Sequence, residues 1–308
     1  MRMFLKSPLL WIAILSLAVA AVLPWYVSAY ILGILTVAYY FGVFAMSWDL
    51  LFGFAGEVNF GPTFLIGVGA YSSGILNNLY GISPYLCIAI GACAAVIAGL
   101  VLALPALRVR GPYFGLTTLV AVLILQSFVV VFADLTGGEI GLTIPDILSI
   151  DATVNYWIAL VFMAVSAAIL FGLAQSPVGL ILQASGQDPV QAGALGFNIV
   201  KHKLAAFVVS AFFSGLSGAL LVFYMGTASV GTVVDIAIGV QVIVAAVLGG
   251  RRTVIGAALG AIFLIVAGEF LRPAGQISTF IVSAVALLVI LFFPNGFLGS
   301  ILARGARS

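Results

Sequence analysis

PYLCIAIGACAAVIAGLVLALP, residues 84–105, holds no charged side chain anywhere along its length. Wound as a helix at about 1.5 Å per residue, such a run matches a bilayer's hydrocarbon core, roughly 30 Å thick. Working outward from it, further apolar runs lie at 9–26, 29–47, 61–78, 114–133, 154–174, 204–224, 236–250, 254–271 and 277–293. The whole chain has 308 residues, 64% apolar and 6% charged. A soluble domain carries roughly 25% charged residues, so this chain could not clothe a water-facing surface. Eleven Lys and Arg against nine Asp and Glu give no basic face for nucleic acid. Ten spans of about 20 residues use roughly 200 of the positions, which leaves no room for a sizeable soluble domain. The runs are continuous, whereas barrel strands alternate over about ten residues, so each is read as a helix.

The few charges orient the bundle. With the N-terminus inside and the runs alternating, Arg2, Lys6, Arg108, Arg110, Lys201, Lys203, Arg251, Arg252, Arg304 and Arg307 fall inside, and Arg272 outside. The outer 134–153 loop carries Asp134, Glu139, Asp146 and Asp151 with no Lys or Arg. This obeys the positive-inside rule and places both termini in the cytoplasm. Pro24-Trp25-Tyr26 is a poor cleavage site, so the first run is expected to stay as a span. The expected fold is an all-α polytopic transmembrane bundle of about ten spans with one broken or re-entrant segment. Residues 1–308 form a single transmembrane domain, with 175–203 as a cytoplasmic loop.

The break is Gly53-Phe54-Ala55-Gly56-Glu57-Val58-Asn59-Phe60-Gly61-Pro62. It is too poor in charge for a comfortable loop and too rich in breakers for a helix. Non-helical backbone at membrane depth is tolerated where it lines a wet cavity or is buried in protein, and broken helices mark transport pathways. A tight cytoplasmic turn is the plainer alternative, with Asp49 and Glu57 at the interface. In 175–203, Leu180, Ile181, Leu182 and Ala184 make a short amphipathic turn. Asp188-Pro189 then starts a helix, since Asp caps free N–H groups and Pro fits the first turn. Gly196 is the expected C-cap. The small-residue face around Ala192, Gly193 and Ala194 leaves room for another protein to dock. It lacks the basic face of a helix that lies on lipid.

Enzymatic chemistry finds no footing. The single histidine, His202, sits between Lys201 and Lys203 at a membrane edge. No metal site has enough ligands, and no Gly-x4-Gly-Lys-[ST] phosphate loop occurs. Cys87 and Cys93 lie in one apolar run and read as packing residues. Glu269 and Arg272 are spaced as an i, i+3 pair, although a carboxylate at membrane depth can also be kept for function. Gly91, Ala95 and Gly99, Gly215 and Gly218, and Gly256 and Gly260 are spaced to let helices approach closely.

Several stretches resemble, in order, the longer type of permease subunit of branched-chain amino acid ABC importers. They are Gly56-Glu57-Val58-Asn59-Phe60-Gly61 with Phe64, Gly67, Gly69, Ala70 and Tyr71; Leu107 to Phe114 with Thr118-Leu119; and Thr136-Gly137-Gly138 with Gly141-Leu142 and Ile144-Pro145. They continue as Ala192 to Gly196 with Lys203, Ala206-Phe207 and Ser210-Ala211; Leu248-Gly249-Gly250 with Gly256 and Gly260-Ala261; and Pro294-Asn295-Gly296. The resemblance spans about Gly53 to Gly299. Departures are Asn59 where Ser is frequent, Leu123 where an acid is, Arg252 where Gly is usual, and the lost charges around Leu180 and Gly186-Gln187.

The resemblance implies an inner-membrane permease that pairs with a second permease of similar fold. Two cytoplasmic ATPase subunits would dock beneath and an extracytoplasmic substrate-binding protein above. The chain would bind no cofactor, and ATP would be hydrolysed by the partner subunits. The 184–196 segment would be the coupling element, through Ala184, Asp188, Gln191, Ala192, Gly193, Ala194, Leu195 and Gly196. Gly56, Glu57, Asn59, Phe60, Gly61, Thr63 and Phe64 would line the pathway. Related permeases carry urea, short amides or sugars. Two other classes compete: an ion-coupled secondary transporter, and an intramembrane enzyme or scaffold. The first needs a midplane coupling site, typically an acid, with breaks in both halves of the chain. Only one half shows a break in the sequence.

Overall fold

The computed structural model describes residues 8–107 and 112–272, with Ala284. Arg2, Lys6, Arg108, Arg110, Arg304, Arg307, the 277–293 run and Pro294-Asn295-Gly296 lie outside the described residues. Helix dominates the rest. The elements are α1 (Pro8–Val22), α2 (Ala29–Asp49), α3 (Pro62–Tyr80), α4 (Pro84–Ala106), α5 (Pro112–Val131) and α6 (Ala133–Thr136). Then come β1 (Leu142–Thr143), α7 (Ala152–Gln175), α8 (Pro177–Gln187), α9 (Pro189–Ala194) and α10 (Ile199–Met225). β2 (Thr227–Ala228), α11 (Ile236–Gly249) and α12 (Ile255–Leu271) follow. Among the described residues six helical segments are long and apolar enough to cross a membrane: Ala29–Phe54, Pro84–Ala106, Tyr113–Val131, Ala152–Gln175, Ile199–Met225 and Val230–Gly249. The runs at 9–26 and 254–271 appear as shorter apolar helices.

Two helices form the interior, α2 and α10. α2 buries Tyr39, Tyr40, Phe44, Met46 and Trp48, and α10 buries Phe207, Phe213 and Phe223. α2 packs on α7, α12 and α10, while α10 packs on α3 and α4. The glycines set these distances. A Cβ on Gly91 would meet the Gly69 carbonyl oxygen at 2.6 Å, and one on Gly99 would meet Ala211 Cβ at 2.8 Å. Gly215 faces Ala95, Gly256 faces Gly249, and Gly260 faces the Ala245 carbonyl. Without a solvent-driven hydrophobic force between spans, such close approach is what holds them together. The small-residue expectation is met at each of these positions.

The two ends of the bundle differ in kind. At one end lie Glu57, Lys203, Arg251 and Arg252: Glu57 pairs with Lys203, Arg252 Nε donates to the Gly53 carbonyl, and Arg251 stacks over Phe52. At the other end, β1 pairs antiparallel with β2, Leu142 opposite Ala228 and Thr143 opposite Thr227. There Asn77 donates to Asp146, and Arg272 donates to Glu269 at 2.8 Å, with Tyr30 on the same carboxylate. The i, i+3 pair expected of Glu269 and Arg272 therefore forms. Asp49, at the charged end, is 1% exposed, and its carboxylate accepts from the Arg252 and Val254 backbone N–H groups, each at 3.1 Å.

Helix interruption departs from expectation. A π-helical turn, Leu50–Phe54, prolongs α2, so Gly53 and Phe54 remain helical and the break narrows to 55–61. A second interruption lies at 226–235, where β2 and another π-helical turn, Val230–Val234, precede α11. The single break read from the sequence is corrected to two, one in each half of the chain. The physical reason is length. α11 by itself has 14 residues, about 21 Å of helix, and reaches the length of a span only together with the π-helical turn that precedes it.

Candidate functional site

The 55–61 segment is an ordered bend. Trp48 Nε1 donates to the Asn59 carbonyl at 2.6 Å, and Asn59 Oδ1 accepts from Gly61 N at 2.8 Å. Phe60 N donates to Thr118 Oγ1 at 3.0 Å, which ties the bend to α5. Pro62, which has no N–H to satisfy, then opens α3. Asn59 is 2% exposed, and its amide builds the turn. Gly61 and Thr63 are also buried, and Phe64 is half-buried. Thr63 Oγ1 has no hydrogen-bond partner. Phe60, like Gly56, is exposed, at 42%, its ring lying over Gly115 where a Cβ would come within 2.6 Å.

At the charged end, α8 and α9 form a bent pair. Ser176 caps α8, and Asp188 Oδ1 caps α9 by accepting from Val190 N at 2.9 Å and Gln191 N at 3.0 Å. The expected turn at 180–184 is thus part of an 11-residue helix. Ala184 sits near the end of α8, and Gln191, Ala192, Gly193 and Ala194 sit on α9. The C-cap is Leu195, and Gly196 follows with φ +87°, a conformation glycine adopts without strain. Ala192 is buried against the bundle, while Ala184, Gln191, Gly193, Ala194, Leu195 and Gly196 are exposed. Val190 and Leu195, 77% and 74% exposed, make that outer face apolar.

These two regions touch. Gly56, at φ +73°, lies so close to Gly186 of α8 that a Cβ would meet its Cα and carbonyl oxygen at 2.9 Å. A Cβ on Gly186 would meet the Phe54 carbonyl at 2.7 Å. One residue on, Glu57 pairs with Lys203 at the start of α10, their side chains 16% and 13% exposed. The bend is therefore clamped to α8 by backbone contact and to α10 by charge. Three residues separate Gly56 from Phe60.

The residues missed in the sequence are Asp235 and Gln126. Asp235 caps α11, its Oδ1 accepting from Ala237 N at 2.9 Å, and Gln126 of α5 donates to the Val234 carbonyl at 3.2 Å. A Cβ on Gly67 of α3 would meet Val234 Cγ2 at 2.7 Å, so the start of α11 is level with Gly67. About 20 Å of α3 separate Gly67 from Tyr80, which puts Asp235 deep within the bundle. The available signal was the shortness of the 236–250 run, preceded by Gly226-Thr227-Ala228-Ser229. A carboxylate facing lipid at such depth costs about 2.5–3.5 kcal/mol, so one at this place needs a wet or protein-lined setting.

The sequence matches the family described as "Branched-chain amino acid transport system / permease component" over residues 30–294. Among curated relatives, the high-affinity branched-chain amino acid transport system permease protein LivM of Escherichia coli (strain K12) is 26% identical. That alignment covers 95% of this chain and 75% of the relative. The corresponding permease protein LivH of Salmonella typhimurium is 26% identical over 84% of this chain and 91% of its own length. A probable branched-chain amino acid transport permease protein LivM of Methanocaldococcus jannaschii is 25% identical over 60% of this chain. No solved structure matches the chain significantly.

Proposed function

The chain belongs to the permease-component family of branched-chain amino acid transport systems, and on that premise we propose that it forms part of the passage through which an ATP-driven importer moves branched-chain amino acids. It is a transport subunit, not an enzyme. The observation that carries the reading is the family match over residues 30–294, nearly all of the membrane-embedded chain.

The finer assignments follow the physics of the site. Residues 1–308 make one transmembrane domain with about ten spans, both termini lying in the cytoplasm of a bacterial-type inner membrane. The end bearing Lys201, Lys203, Arg251 and Arg252 is the cytoplasmic one. The 175–203 loop, through Ala184 and the Asp188–Gly196 stretch, receives an ATPase subunit; the exposed apolar Val190 and Leu195 support that role. Partner ATPases supply ATP hydrolysis, a second permease completes the passage, and an extracytoplasmic binding protein delivers the amino acid. The 56–64 region borders the passage, with Phe60 as its exposed side chain and Gly56, Glu57, Asn59, Gly61, Thr63 and Phe64 holding it. Movement of α8 reaches Phe60 through the Gly56–Gly186 contact and the Glu57–Lys203 pair.

Reconstitution tests the reading. Liposomes holding this chain, its partner permease and the ATPases should take up leucine only when ATP and binding protein are both present. Uptake by the lone chain, driven by a proton or sodium gradient, would overturn the proposal in favour of secondary transport.

A further inference from the structure

We propose that Asp235 is the point in the passage that receives the ammonium group of the travelling amino acid, an inference that rests on the transport reading above. The elements packed around it are the Val230–Val234 turn, α3, α5 and α11. None of these segments contains a Lys, Arg or His. The basic residues nearest along its own helix, Arg251 and Arg252, lie beyond the far end of α11, about 20 Å away. Neither ion pair among the described residues includes Asp235.

Its surroundings leave the group accessible. Asp235 is half-exposed, and Gly231, Ala237, Val240 and Gln241 around it are exposed on this chain. A Cβ on Gly231 would meet nothing within 4 Å. The Oδ1 atom is used by the cap on Ala237 N, and among the described residues Oδ2 has no hydrogen-bond partner. A charge at this depth is retained where it meets a wet cavity or an opposite charge, not lipid. Backbone irregularity at depth points to a cavity wall.

The two breaks also converge here. The Gly239 amide donates to the Asp235 carbonyl one helical turn away, and a Cβ on Gly239 would lie 3.5 Å from Thr63 Oγ1 and 3.6 Å from Pro62. Asp235 thus lies one helical turn beyond the exit of the 55–61 bend. Phe60 lies further toward the Lys203 end, at Gly115 of α5, while Asp235 lies at the level of Gln126 on the same helix. An amino acid is neutral overall but carries a full ammonium charge. A fixed carboxylate without a cation of its own offsets part of the cost of bringing that group out of water. The described elements packed here supply no positive charge that would compete for it.

Substitution can separate the charge from the cap. Asn and Ser cap helices about as well as Asp, whereas Glu keeps the charge and caps poorly. In the reconstituted complex with ATPases, partner permease and binding protein, Asp235→Asn and Asp235→Ser should lower ATP-driven leucine uptake about tenfold, equal to about 1.4 kcal/mol. Assembly and melting temperature should stay at wild-type values. Asp235→Glu should transport better than either, despite a lower melting temperature. Uptake by Asp235→Asn within about twofold of wild type, a difference under 1 kcal/mol, would overturn the inference and leave the transport reading standing. Dissociation of the Asn and Ser variants from the second permease would also overturn it, since Asp235 would then be an intersubunit ion-pair partner. Absence of ATP-driven uptake by the wild-type complex would instead defeat the functional reading, and the inference with it.

Discussion

Asp49 is one carboxylate that holds together two segments far apart in sequence. It accepts from Arg252 N and Val254 N while Arg252 Nε reaches the Gly53 carbonyl, so the end of α2 is pinned to the turn between α11 and α12. Arg252 and Val254 have φ of +63° and +53°, which is costly for side chains with a Cβ, and the carboxylate helps hold that turn. Asp49→Ala would leave two buried N–H groups without a partner, at about 1–3 kcal/mol each. The expected result is a melting temperature well below wild type in detergent; Asp49→Asn, which keeps one carbonyl acceptor, should lose less. The Glu57–Lys203 pair invites a different experiment. Because both partners are mostly but not fully buried, Glu57→Gln or Lys203→Met should cost about 1–3 kcal/mol, below the 3–5 of a fully buried pair. The charge exchange Glu57→Lys with Lys203→Glu should regain part of both stability and uptake. A double exchange no better than the sum of the single changes would show that the pair is not a clamp.

α9 is short, but its two faces do different work. Ala192 seats it on the bundle, while Gly193 faces open space apart from Ile199 Cδ1, 3.6 Å from where a Cβ would lie. Gly193→Trp should therefore fold normally and obstruct whatever docks there. ATP hydrolysis by the assembled complex should continue while leucine uptake falls about tenfold or more, the effect of about 1.4 kcal/mol. Normal uptake would mean that the ATPases dock elsewhere. The helix itself was legible from Asp188-Pro189 because capping is local chemistry, readable over a few residues. The apolar runs and small-residue spacings were legible for the same reason. Asp49 was not, since its partners lie about two hundred positions away and depend on a turn with positive φ. Asp235 was overlooked because the apolar run was begun at 236, one residue past it, whereas the helical segment of span length starts at Val230. Only packing of Val234 on Gly67 reveals that the helix begins at depth. At Asn59 the sequence did not show the turn contacts: its Oδ1 accepts from Gly61 N, and its backbone carbonyl accepts from Trp48 Nε1.

Across the whole molecule, the two ends carry opposite chemical character, and that polarity makes the orientation testable. At the end holding β1 and β2, Ile140 and Ile150 are 97% and 93% exposed, in the loop with Glu139 and Asp151. At the other, Gly193 and Leu195 are exposed beside Lys201. The described basic residues other than Arg272 share that second end or the helix that starts there. Translocating Lys or Arg is unfavourable where acidic residues are not, so the α8–α9 end should face the cytoplasm. Cys87 is buried and Cys93 exposed, so a background with Cys87→Ala and Cys93→Ala removes the native thiols. In that background, Ile140→Cys and Ile150→Cys should react with a membrane-impermeant maleimide added to intact spheroplasts. Gly193→Cys and Leu195→Cys should react only after the membrane is opened. The reverse pattern would place α9 where no cytoplasmic ATPase could reach it. A motion at α9 could not then begin with nucleotide, and neither the Gly56–Gly186 contact nor the bend leading to Phe60 would lie on a route from ATP to the passage.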